Sequence, residues 1–141
     1  MKLGIVGHEA AKFTPTTEAV ARSIIRTILA HPDDVCVSGE CHLGGVDIWA
    51  KEEARSLGRG YIPFPPKTHN WADGYKPRNL YIAGESDVVH VIVVHAYPPG
   101  YTGMRFDYCY HCRTSDHIKS GGCWTARKAM QMGQRGEWHK V

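Results

Sequence analysis

The run Val88–Val94, Val-Val-His-Val-Ile-Val-Val, constrains this chain more than any other segment. β-branched residues surround one histidine with no polar face, which suits a strand buried on both sides at the centre of a parallel sheet. Such a strand needs helices above and below it, and the sequence supplies them in alternation. Lys-Leu-Gly-Ile-Val-Gly at 2–7 reads as a buried first strand. Thr14 before Pro15 marks a helix start, Glu18 sits in its first turn, and Val20, Ile24, Ile25, Ile28 and Leu29 share one face. His31-Pro32-Asp33-Asp34 ends that helix. Val35–Ser38 is the second strand, Val46–Leu57 a helix stopped by Gly58, and Tyr61–Phe64 a third strand closed by Pro65-Pro66. Residues 67–77 read as loop, helix resumes near Arg78, and a helix Cys123–Met132 and a short strand around Trp138–Val141 complete the chain. His90, inside the apolar run, is expected to be a satisfied core or sheet-edge histidine.

This alternation predicts an α/β fold of three layers, with a parallel sheet of about five strands and right-handed crossovers. A length of 141 residues fits one domain, 1–141. From Tyr97 to Gly122 the periodicity breaks: Pro98-Pro99-Gly100, four tyrosines and a Cys/His cluster replace it, so 97–123 reads as a loop-rich insertion. No apolar run is long enough to span a bilayer, and Met1–Gly7 passes directly into polar His8, Glu9 and Lys12, so neither membrane insertion nor secretion is expected. The net charge of +3 is too mild for a dedicated nucleic-acid binder.

Cys109, Cys112, His117 and Cys123 give C-x2-C-x4-H-x5-C, close to a zinc knuckle whose final gap is one residue shorter. Three thiolates and one imidazole suit tetrahedral zinc, with His111 as the alternative to His117. Four protein ligands close the coordination sphere, so the zinc is expected to be structural. An odd number of cysteines, three of them beside histidines, points to metal binding in a reducing compartment, hence a cytoplasmic protein.

In open parallel sheets ligands bind beyond the carboxyl ends of the strands, and helix starts there offer free N–H groups to phosphate. Four segments fall at such places. Gly7 and His8 follow the first strand. Gly39, Glu40, Gly44, Gly45 and Asp47 lie around the second loop, where Asp47 either caps the next helix or holds a ligand hydroxyl. Arg78 and Asn79 open the next helix, with a guanidinium fork that matches phosphate oxygens. Ser120, Gly121 and Gly122 precede the last helix, with Thr125 one turn in. Trp71, Trp124 and Trp49 are candidates for stacking on a base, packing being the stronger reading for Trp49. Cys41-His42 is not expected to be a nucleophile and base, because adjacent side chains in an extended loop point apart.

The order of these pieces resembles the SLOG superfamily, which includes the DNA-processing protein A domain, the Lonely Guy phosphoribohydrolases and YspA-like proteins. The resemblance rests on Ser38-Gly39 with Gly44-Gly45-x-Asp47 and Ala50, then Arg78-Asn79 with Ile82-Ala83 and Ser86-Asp87, then the Gly121-Gly122 helix start. It covers about residues 3–96 and 119–141. It implies a Rossmann-like domain that binds nucleotide-derived ligands at these loops, as a homodimer or higher oligomer. The phosphoribohydrolases of the family are similar to a Pro-Gly-Gly-x-Gly-Thr-x-x-Glu pattern. Here the glycines and Thr125 are kept, but Lys128 stands where the carboxylate belongs.

The first expectation is therefore binding of a nucleotide-derived small molecule, ADP-ribose-like or a cyclic-nucleotide signal, for sensing or sequestration. The alternative is an N-glycosidic-bond hydrolase acting on nucleoside monophosphates, with Glu40 or Asp47 steadying the ribosyl cation. Nucleic-acid binding is the less favoured reading.

Overall fold

A computed structural model describes all residues, Met1–Val141. Five strands, β1 (Lys2–Gly7), β2 (Val35–Ser38), β3 (Gly60–Pro63), β4 (Val88–Val93) and β5 (Arg135–Lys140), alternate with α1 (Pro15–Ile28), α2 (Val46–Ser56), α3 (Lys76–Glu85) and α4 (Gly121–Gln131). The strands form one wholly parallel sheet in the order β3-β2-β1-β4-β5. β4 is buried at every residue, as its composition requires. Side chains of α1 and α2 pack with Leu3, Ile5, Cys36 and Ile92 on one face, and those of α3 and α4 with Val6, Val37, Val89 and Val91 on the other. The result is the expected three-layer α/β arrangement.

Local signals account for the elements. Thr14 and Thr17 exchange side-chain and backbone hydrogen bonds of 3.1 and 2.8 Å at the start of α1, a capping box worth about 1 kcal/mol. Arg59 gathers the carbonyls of Leu29, Ala30 and Leu57 at 2.7, 3.0 and 2.7 Å, closing the ends of α1 and α2.

The structure moves several predicted boundaries. α4 begins at Gly121 rather than Cys123, because the Ser120 hydroxyl accepts from the Gly122 N–H at 3.1 Å and starts the helix two residues early. β5 runs from Arg135, not Trp138, since pairing with β4 from Val88 onward supplies order that its polar residues do not advertise. Trp71–Tyr75, expected as loop, is a π turn leading into α3. Residues 97–120 hold one isolated antiparallel bridge, Cys109 to Thr114, and no helix or strand.

The chain steps from β1 outward to β3, then returns to the far side of β1 for β4 and β5. The reversal leaves a crevice at the carboxyl ends of β1 and β4, the place where such sheets hold ligands. No helix is long and apolar enough to cross a membrane.

Candidate ligand cavity and cysteine–histidine cluster

A cavity of about 610 Å³ opens at that crevice, within the size range of small-molecule sites. The first strand contributes Gly7, α2 contributes Asp47, α3 contributes Arg78 and Asn79, and α4 contributes Gly121, Gly122 and Thr125. Four chain segments far apart in sequence thus meet at one opening.

Asp47 is buried, accepts from the Cys41 N–H at 3.1 Å and lies 3.8 Å from the Arg78 guanidinium. Burial raises its pKa to about 6 against the pull of Arg78. Arg78 is spoken for on two sides: Nε donates to Asn79 Oδ1 at 2.8 Å and Nη1 to the Gly39 carbonyl. Only Nη2 of the fork is left for a ligand. Thr125 Oγ1 donates to the Gly121 carbonyl at 3.3 Å. Ser120 caps Gly122, which leaves the Gly121 N–H without a protein partner at the positive end of α4.

The remaining predicted residues brace the cavity without lining it. His8 is buried between two backbone groups: Nδ1 accepts from the Val94 N–H at 3.2 Å, so Nε2 carries the proton and donates to the Lys119 carbonyl at 2.9 Å. Burial lowers its pKa to about 4, keeping that tautomer neutral. A side chain at Gly39 would meet Arg78 Nη1 at 2.2 Å, so glycine there makes room for the guanidinium. Gly45 has φ +85°, and a Cβ would stand 2.3 Å from the His8 carbonyl; Gly44 shares the left-handed backbone at φ +75°. Glu40 is outside the cavity, held by Lys51 at 2.7 Å and the Tyr61 hydroxyl at 3.2 Å. Its carboxylate is therefore occupied by structure.

Sequence reasoning missed Lys119 and Tyr75, which both line the cavity. Lys119 had a signal, since it immediately precedes the capping Ser120. Trp71 and Trp124 do line the opening and meet edge-on at 4.8 Å, whereas Trp49 packs against Phe13 at 4.7 Å in the core. Tyr110 and His111 complete the rim. Cys41 faces the cavity while His42 stacks on His69 at 3.8 Å, so the adjacent pair does separate.

Beside this rim, ligand atoms of Cys109, Cys112, His117 and Cys123 gather within 4.8 Å of one another, a set able to hold a metal ion. His117, not His111, is the imidazole in the group. Its surroundings fit a metal ligand. Asp116 Oδ1 sits 2.5 Å from His117 Nδ1, fixing the tautomer that leaves Nε2 free, 3.5 Å from Cys123 Sγ. Lys140 holds the other Asp116 oxygen at 2.6 Å, and the Trp138 indole N–H points at Cys123 Sγ from 3.4 Å. Burial, with Cys109 and Cys112 nearby, pushes the Cys123 thiol up, so three ionised thiolates would gather here only around a cation. A second set of donor atoms, from His90, Glu137 and His139, also lies within 4.8 Å, on β4 and β5 and away from the cavity. His90 Nδ1 is 3.0 Å from His139 Nε2, so the expected sheet-edge partner is another histidine.

In fold, the chain is similar to DNA processing protein A. The X-ray structure of DNA processing protein A (DprA) from Streptococcus pneumoniae superposes with a TM-score of 0.57 at 16% identity, over 97% of this chain and 49% of that one. This chain thus spans about half the length of DprA, and the likeness extends to its Rossmann-like fold. No protein-family model and no curated protein matches the sequence.

Proposed function

We propose that residues 1–141 form one domain that binds a nucleotide-derived small molecule, ADP-ribose-like or a cyclic-nucleotide signal, for sensing or sequestration. The observation that carries this reading is the convergence, in one cavity, of groups matched to each part of a nucleotide. The free Gly121 N–H at the start of α4, with Lys119 and Arg78 Nη2, suits phosphate. Asp47 suits a ribose hydroxyl, and Trp71, Tyr75 and Tyr110 offer flat faces for a base. A cavity of about 610 Å³ with few cations suits a small molecule better than a nucleic-acid strand, which takes a long basic groove.

In this reading the Cys109, Cys112, His117 and Cys123 cluster binds one structural zinc, and 97–123 is the insertion it organises. The protein acts in the cytoplasm, as a homodimer or larger homo-oligomer. Turnover is not part of the reading: Glu40 lies outside the cavity, and Glu9, the carboxylate that lines it with Asp47, is paired with Lys12 at 3.0 Å.

Mass spectrometry of a panel of nucleoside monophosphates, ADP-ribose, cyclic ADP-ribose isomers and cyclic dinucleotides tests this. A compound that leaves the filtrate and returns intact after heat denaturation supports binding. Free base and ribose phosphate beyond one equivalent would instead establish the phosphoribohydrolase-like alternative.

A further inference from the structure

We infer that metal occupancy of the cysteine–histidine cluster sets the shape of the ligand cavity, so that ligand and metal bind cooperatively. This rests on the nucleotide-binding reading for the identity of the ligand, but its structural basis is separate. The two residues between the first pair of ligands, Tyr110 and His111, form one side of the cavity rim. Between the last two ligands lie Lys119, Gly121 and Gly122, which also line the cavity. Both chelate loops are therefore also cavity walls.

The two walls differ in what else holds them. The 117–123 side has anchors without a metal: Ile118 N–H donates to the Val94 carbonyl at 3.0 Å, His8 holds the Lys119 carbonyl, and α4 packs on the sheet. The 109–112 side has the single bridge from Cys109 to Thr114 and the burial of Cys109, one of the four ligands itself, beside α4, while Tyr110 is exposed. Lys119 Nζ spans the two, 5.3 Å over the Tyr110 ring and 4.7 Å over Phe106. A metal joining Cys109 and Cys112 to His117 and Cys123 closes a ring through both segments. Without it, the weakly held segment has too few backbone and apolar contacts to stay in place. Ligand binding to the stripped protein must first order that wall, and the cost appears as lost affinity. By linkage, ligand raises the apparent metal affinity by the same factor.

The test compares the zinc-loaded protein, residues 1–141, with the same protein stripped by chelator under reducing conditions. Hydrogen exchange is expected to rise in peptides covering 104–114 on stripping, with peptides of β1 and β4 still protected. ADP-ribose affinity measured by calorimetry is expected to fall at least ~10-fold, an energy of about 1.4 kcal/mol. Unchanged exchange at 104–114, loss of protection throughout the sheet, or equal ADP-ribose affinity in both forms would each overturn the proposal. ADP-ribose bound by neither form counts against the nucleotide reading, and exchange at 104–114 then decides the wall proposal by itself. Cys112→Ser, at the least buried thiolate, should behave as the stripped protein does. Tyr110→Ala should weaken ADP-ribose while keeping one zinc, and normal binding by that variant would remove Tyr110 from the wall. His139→Ala, at the distant histidine pair, should leave both readouts unchanged, and coupling lost in that variant would assign the effect to the wrong cluster.

Discussion

One wall of the cavity is built by the sheet, and the other lies beside a cluster of four side chains that could hold a metal ion. Gly7, Asp47 and Arg78 stand at the ends of elements whose positions follow from burying β1 and β4. Tyr110 and His111 stand in a segment with one backbone bridge, between two residues of the group Cys109, Cys112, His117 and Cys123, which could hold a metal ion. Sheet-built walls resist local change because many apolar contacts share the load. A ligand-built wall fails at any one of its donors.

Cys109→Ser should therefore have the largest effect. Cys109 is fully buried beside α4, and losing the metal is among the few single changes that cost more than ~4 kcal/mol. Urea denaturation should show that loss, with zinc content falling to none. Retention of one tightly held zinc would mean that the second donor set, on β4 and β5, is the metal site instead.

Arg78→Ala probes the other wall. It removes donors from the Gly39 carbonyl and Asn79, and strips Asp47 of its nearby cation, a change expected to cost about 3 kcal/mol. Arg78→Lys should recover little of it, because an ammonium cannot reach three acceptors in one plane. Full recovery by lysine would mean that charge alone matters at this position. Zinc content should be unaffected by either substitution.

The same contrast explains what could be read in the sequence. β4 was plain because its β-branched run has only one sensible environment, and the four ligand loops followed from where strands end. The cysteine–histidine cluster was legible from spacing, with the choice of His117 over His111 coming from the structure. Which loop residues face the cavity was not: His8, Gly39 and Gly45 look like ligand contacts in one dimension, yet His8 bridges backbone groups and the two glycines let the Arg78 guanidinium and a backbone segment approach, while Gly44 supplies a left-handed turn. Lys119 and Tyr75 were missed for the converse reason, since their place depends on how α3 and α4 meet across the crevice.

Asp47 separates fold stability from ligand binding on the sheet-built wall. Its pKa in the folded protein is about 6, above the ordinary 3.8, with burial opposing ionisation and Arg78, the Cys41 N–H and nearby Glu40 modulating it. Between those values the folded chain holds a proton that the unfolded chain has released. Stability from this group is thus full below pH 3.8, falls as pH rises through the window, and stays low above about 6. Asp47→Asn should stabilise the protein at pH 7 by up to about 3 kcal/mol, and by about half as much at pH 5. It should also weaken ADP-ribose binding, since asparagine is a poorer acceptor for a hydroxyl. A gain that does not change between pH 5 and 7 would place the effect in packing rather than in the carboxylate.

Trp71→Ala should move stability least, because the indole is 47% exposed and its main aromatic neighbour, Trp124, meets it edge-on at 4.8 Å. Exposed side chains of this kind contribute within about 0.5 kcal/mol to folding. If the ring instead supports the base of a ligand, stacking is worth about 1–3 kcal/mol, and ADP-ribose affinity should fall roughly 10-fold while the melting temperature barely shifts. Trp71 sits in the π turn before α3, so it belongs to the sheet-built wall by connection, and it lines the same cavity as Tyr110. A loss of affinity for Trp71→Ala that vanishes in the zinc-stripped protein would show that both walls must be in place before a base is held. Equal losses in both forms would show that the π turn holds the base without help from the metal-bound loop.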